Sequence, residues 1–148
     1  MIKKFTADTS ELKTVISCMK SWLENHSIHQ NICEKCHIIC EEVFTNTALY
    51  AFSNSNKSFQ ESDSFIVRQN DHISVEFIYI DNETISLIFS DTGTPFDLVT
   101  YYKSSSEKGI SSMGGMGVRI IIQMSDSVNY KRRNNRNILS IKLCKDSN

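Results

Sequence analysis

All five glycines of this 148-residue chain (Gly93, Gly109, Gly114, Gly115 and Gly117) lie between positions 93 and 117, and the single proline, Pro95, sits among them. Glycine belongs where a backbone must turn sharply or let a ligand come close. The chain ahead of Gly93 has none, so its elements must be regular helices and strands joined by polar turns. The clustering places the ligand-facing backbone in one region. A chain of this length suits one hydrophobic core. With no internal repeat and no dividing linker, residues 1–148 are expected to form a single domain.

The apolar spacing gives the order of elements. Residues 1–6 suit a short strand. Asp8 and Glu11 have the spacing of a capping box, and Leu12, Val15, Ile16, Met19 and Leu23 follow with helical periodicity to about residue 26. A second helix is predicted from about Ile28 to about Phe52, with Ile32, Cys36, Ile39, Cys40, Val43 and Thr47 on its apolar stripe. Residues 53–70 read as a long exposed loop with a short strand at Phe65–Val67. Ile73, Val75, Phe77 and Tyr79 alternate, as do Ile85, Leu87 and Phe89, with a turn at Asp81 and Asn82. Residues 98–113, rich in serine, read as a mobile loop. Gly117 to about Met124 suits a helix, and a final strand pair, Ser127–Lys131 and Ile138–Leu143, turns at Asn134 and Asn135. The fold class expected is α+β: a two-layer α/β sandwich, its mixed and mostly antiparallel sheet carrying helices on one face.

A formal net charge of -1 with 22% charged residues argues against direct nucleic-acid binding or an anionic membrane surface as the main role. No apolar run nears the roughly 20 residues of a membrane span, and the N-terminus lacks a signal-peptide core. A cytoplasmic protein is expected, with its five cysteines reduced.

Three groups of residues carry chemical potential. Glu42 and Asn46, four apart on the second helix, stack at the edge of its apolar stripe. There a carboxylate can act as a base and an amide oxygen can ligate Mg²⁺. Asp91-Thr92-Gly93-Thr94-Pro95-Phe96-Asp97 follows a strand directly. Asp91 can accept from an adenine amino group while Gly93 lets backbone lie against the base. Gly114-Gly115-Met116-Gly117 opens a helix, where free amides and the positive dipole end suit phosphates. Each has a plain alternative: a solvated helix edge, an ordinary Asp-x-Gly turn, a flexible hinge.

In this order the three groups resemble the N-box and two glycine boxes of the GHKL (Bergerat-fold, histidine-kinase-like) ATPases. More closely they are similar to the small anti-sigma serine kinases of bacteria. The ending also fits, with Asp126, Val128 and Tyr130 preceding Asn137, Leu139 and Lys142. The resemblance implies ATP and Mg²⁺ as cofactors. Asn46 would ligate the metal, Asp91 and Gly93 would meet adenine, Gly114, Gly115 and Gly117 would hold phosphates, and residues 98–113 would form a lid. It implies Glu42 as the catalytic base toward a serine or threonine of a STAS-type anti-sigma antagonist, with a sigma factor as a further partner and a homodimer as the assembly. Two positions depart from the pattern: Tyr50 stands where many relatives have histidine, and Asn137 near where some have a threonine by the adenine.

The rival readings are an ATP-binding switch that sequesters a partner without phosphorylating it, and a detached histidine-kinase catalytic domain. A zinc site at His29, Cys33, Cys36, His37 and Cys40 is conceivable, but their arc is largely the core face, where cysteine packs as a small hydrophobe. Lys103, Lys108 and Arg119 flank the glycines and are read as solvated charges. Lys131, Arg132, Arg133 and Arg136 are read as an exposed hairpin tip.

Overall fold

A computed structural model of the chain describes residues 1–52, 71–107 and 115–145. Five strands, β1 (Ile2–Thr6), β2 (His72–Asp81), β3 (Thr84–Asp91), β4 (Ser127–Arg133) and β5 (Arg136–Cys144), form one sheet in the order β1-β2-β3-β5-β4, antiparallel at each described pairing. Strand alternation sends Ile73, Val75 and Phe77, then Ile85, Leu87 and Phe89, then Leu139, Ile141 and Leu143 to one buried face. The register aligns Val75, Phe89 and Leu139 in one row and Phe77, Leu87 and Ile141 in the next. Each such side chain contributes roughly 1.5–3 kcal/mol by leaving water.

Helices α1 (Leu12–Asn25), α2 (Gln30–Asn46) and α4 (Met116–Met124) bury apolar stripes in the same core. Trp22 of α1 packs on Phe77 with ring centroids 5.5 Å apart. Phe44 of α2 meets Phe5 edge-on at 6.1 Å. The architecture is thus α+β, in the two-layer arrangement that the alternation and the helical periodicity predicted.

The structure departs from the sequence reading at three places. Asp8 caps a 3₁₀ turn, Thr9–Glu11, by accepting from the Ser10 amide at 2.7 Å, so α1 starts at Leu12 and the expected capping box is replaced by this tighter turn. The second helix runs on past Asn46 as one π-helical turn, Thr47–Ala51. The mobile loop predicted to begin at residue 98 is instead helical over Leu98–Glu107, α3. Asp97 starts it: Oδ1 accepts from the amides of Val99 and Thr100 and Oδ2 from the Thr100 hydroxyl, the N-cap arrangement that satisfies orphan donors. The β4–β5 turn falls at Asn134 and Asn135 as expected, both at positive φ (50° and 59°), a backbone asparagine tolerates. The long loop expected at residues 53–70, and the short strand expected at Phe65–Val67, lie outside the described residues.

Cys36 and Cys40 are buried in the core. Burial pushes the Cys36 thiol well above its ordinary range and Cys40 to about 12, so both are neutral packing groups. All five cysteines are free. Among the described residues no helix is long and apolar enough to cross a membrane.

Candidate functional site

Between the sheet and the helices, at the end where β3 and β5 finish and start, lies a cavity of about 540 Å³. Val43, Phe89, Val118, Ile121 and Leu139 give it apolar walls, and Asn46, Thr47, Asp91, Thr94 and Asn137 bring polar groups. A largely apolar cleft with a few converging polar atoms is the usual form of a small-molecule site.

One end is built around Asp91, the last residue of β3 and only 7% exposed. Its Oδ1 accepts from the Gly93 amide and from Asn137 Nδ2, each at 2.8 Å. Both bonds fall on one oxygen, and Oδ2 of this cavity-lining carboxylate has no bond among the described residues. Burial raises the Asp91 pKa above its ordinary value, while the bonds from Asn137 and Gly93 and the nearby Arg132 and Arg136 partly offset that rise.

Asn137 stands directly opposite Asp91 in the β3–β5 register. Its Nδ2 also donates to Thr94 O at 3.0 Å, with Gly93 O at 3.4 Å. Its Oδ1 accepts from the Tyr130 hydroxyl at 2.8 Å and from Arg132 Nη1 at 2.7 Å. Arg132 reaches further, to Gly93 O at 3.0 Å and Asn135 Oδ1 at 2.6 Å. Arg136 donates to the Ser90 hydroxyl at 2.9 Å. Two arginines of the supposed solvent-facing hairpin tip are therefore tied to the Asp91 turn. On β4 the residues Val128, Tyr130 and Arg132 pair with the core-facing Ile141, Leu139 and Asn137, so strand parity alone marks Arg132 as inward, a signal that charge clustering obscured.

Gly93 is fixed by a close approach. A Cβ there would overlap the Ala51 carbonyl oxygen and lie 2.6 Å from Ala51 Cβ. That same carbonyl accepts from the Thr94 amide at 2.6 Å. The π turn thus delivers Ala51 to the Asp91 turn. Such turns, which accommodate an extra residue, recur at functional sites. Phe96 and Tyr101, with centroids 5.5 Å apart, line the cavity beside it.

The other end joins α2 to α4. A Cβ on Gly117 would meet Glu42 Oε2 and lie 3.0 Å from Asn46 Nδ2. Glu42, Asn46 and Gly117 therefore converge. Gly115 is the N-cap of α4 (φ −104°, ψ −1°), so the amides of its first turn have no acceptor within the helix. Gly114 and Lys108 lie outside the described residues. Tyr50 lines the cavity while 64% exposed, and Lys103 and Arg119 are exposed.

The residues fit an adenine nucleotide on three structural grounds: an apolar cleft of suitable size, a carboxylate in its wall whose Oδ2 has no bond among the described residues, and a helix that opens on glycine. Comparison with known families agrees. The chain matches the histidine kinase-like ATPase domain over residues 5–143, nearly its whole length. It belongs to that family, and it is an ATP-binding domain. Comparison with curated proteins finds no match.

Proposed function

We propose that this domain is an ATP-dependent serine/threonine protein kinase that also acts as an anti-sigma factor, with a STAS-type antagonist as its protein substrate and a sigma factor as its other partner. The observation that carries the kinase reading is the convergence of Glu42 and Gly117 on Asn46, which itself lines the cavity. A pure binding module has no need of a carboxylate beside the phosphate end.

Asp91 Oδ2 accepts from the adenine amino group, and the apolar walls exclude water from the base. The amides at the start of α4, from Gly115 to Gly117, face the phosphates. Asn46 offers an amide oxygen to Mg²⁺, a hard ligand for a hard cation. Bound MgATP supplies the transferable phosphoryl group with its charge partly neutralised. Glu42 takes the proton of the attacking serine or threonine hydroxyl as its oxygen bonds to the γ-phosphorus and the bond to ADP breaks. The cytoplasm is the matching compartment, and a homodimer the assembly that the family resemblance implies.

The test is phosphoprotein formation from ATP, Mg²⁺ and the STAS partner. Asn46→Ala should lose Mg²⁺-dependent ATP binding. Glu42→Gln should bind ATP nearly as wild type and transfer phosphate about 10²–10⁴-fold more slowly. If wild type binds both ATP and partner and never phosphorylates, the domain is a sequestering switch instead.

A further inference from the structure

Asn137 is the most heavily bonded polar side chain at the cavity, and the site reading above gives it no task. Its two amide hydrogens go to Asp91 Oδ1 and Thr94 O, and its oxygen takes both Tyr130 and Arg132. A carboxamide has two donors and two acceptor sites, so Asn137 has nothing left for a base. Its bonds instead run between β5, β4 and the Asp91–Thr94 turn, holding that turn from the side opposite Ala51.

We propose that Asn137 is a positioning residue for nucleotide selection: by occupying Asp91 Oδ1 and the Thr94 carbonyl it leaves Oδ2 alone to read an exocyclic amino group. The inference rests on the adenine-nucleotide reading of the site. A carboxylate oxygen accepts from the amino group at purine position 6, but repels the carbonyl oxygen that inosine or guanine nucleotides carry there. A carboxylate free to rotate, or protonated, would make that distinction poorly.

Among the described residues few groups face Asp91. Arg132 and Tyr130 come from β4, Arg136 and Asn137 from β5, and Tyr50 and Tyr101 line the cavity from the helical side. Burial pushes the Asp91 carboxyl up, and the Asn137 bond is the first of the contacts opposing it. Removing that bond should raise the Asp91 pKa. Nucleotide binding needs the ionised form, so affinity falls as pH drops through that pKa. The acid limb of the binding profile must then move to higher pH in a variant lacking the donor. The ligand's own ionisations are common to both proteins and cancel in the comparison.

The experiment measures ATP and inosine triphosphate affinity from about pH 5 to 8 for wild type, Asn137→Leu and Asn137→Thr, with thermal melts of each. Asn137→Leu should weaken ATP binding at least about tenfold at neutral pH, by analogy with loss of a charge-assisted bond. It should also narrow the preference for ATP over inosine triphosphate and displace the acid limb upward. Asn137→Thr keeps a hydroxyl that can donate across the strand pair, and should hold the acid limb near the wild-type position. If Asn137→Leu will not fold, Tyr130→Phe, which removes one bond to Asn137 Oδ1, should shift the limb in the same direction by less. Wild-type protein that binds no ATP would sink the nucleotide reading itself. Wild type that binds ATP, beside a folded Asn137→Leu with unchanged acid limb and unchanged base preference, would overturn the positioning role alone. A lower melting temperature with both binding readouts intact would reduce Asn137 to a structural bond.

Discussion

A methyl group added at Gly93 would run into the Ala51 carbonyl, whereas one added at Gly117 would meet only the ends of the Glu42 and Asn46 side chains. Backbone cannot step aside, so Gly93→Ala must break the Thr94–Ala51 hydrogen bond or shift the whole turn. It should destabilise the protein by about 1–3 kcal/mol, as overpacking does. Gly117→Ala has flexible neighbours and gains helix propensity, alanine exceeding glycine by about 1 kcal/mol. Its melting temperature should stay near wild type while ATP binding and phosphotransfer fall, because the displaced groups are those proposed to do the work. Melts and nucleotide titrations on both variants check this, and a Gly117→Ala protein with wild-type binding and turnover would show that the α2–α4 approach is only structural. The glycines were legible because the residue type itself announces the backbone requirement. Arg132 was not: its bonds depend on which carbonyl the Asp91 turn presents across the sheet, and nothing in a run of basic residues encodes that.

Helix α3 shows the same limit at the level of elements. Leu98, Tyr101, Tyr102 and Ser105 have helical spacing, and Leu98 is buried while the two tyrosines pack against the core. Serine content argued for a loop, yet Ser104 and Ser105 return their hydroxyls to the Tyr101 carbonyl at 2.9 Å, within the helix. The decisive element is Asp97, which in the sequence merely closes a glycine-box pattern. Its slight burial favours the protonated form, but bonds from Thr100 and Val99, with Lys103 nearby, outweigh that and hold its pKa below the ordinary 3.8. A depressed aspartate contributes stability above its unfolded pKa, and that contribution disappears as pH falls through the lower folded value. Asp97→Ala should therefore fray α3 and cost about 1 kcal/mol at neutral pH, with the difference from wild type vanishing well below pH 4. Amide exchange across 98–107, compared at neutral and acid pH, reads this directly; equal protection in the two proteins at neutral pH would remove Asp97 as the cap. By contrast α1, α2 and the β2, β3 and β5 strands were readable, because each carries an uninterrupted apolar period.

On the scale of the whole molecule, the cavity draws on both layers at once: strands β3, β4 and β5 and helices α2, α3 and α4 all line it. A ligand held there ties the layers together, so binding should protect the fold as a unit. With free ATP at about 100 times its dissociation constant, the gain is about 2.7 kcal/mol, or roughly 5–10 °C in melting temperature for a chain of this size. GTP at the same concentration should give markedly less. Equal shifts with the two nucleotides would contradict base reading by Asp91. The order of the strands and of α1, α2 and α4 followed from sequence, but α3 and the π turn did not. A helix that accommodates one more residue in its last turn looks, in its apolar pattern, like one that simply continues.

That π turn gives α2 the character of a ruler. Glu42 and Asn46 mark one graduation and Ala51, clasped to the Thr94 amide, marks the other. At 1.5 Å per residue the nine steps from Glu42 to Ala51 span roughly 13 Å. The separation between the Asp91 turn and the Glu42–Gly117 approach is thus set by a residue count along one stiff rod, not by the meeting of two loops. Losing a single residue from the π turn would let it close to an ordinary α-helical turn, and the reach of the rod between the two ends of the cavity would change with it.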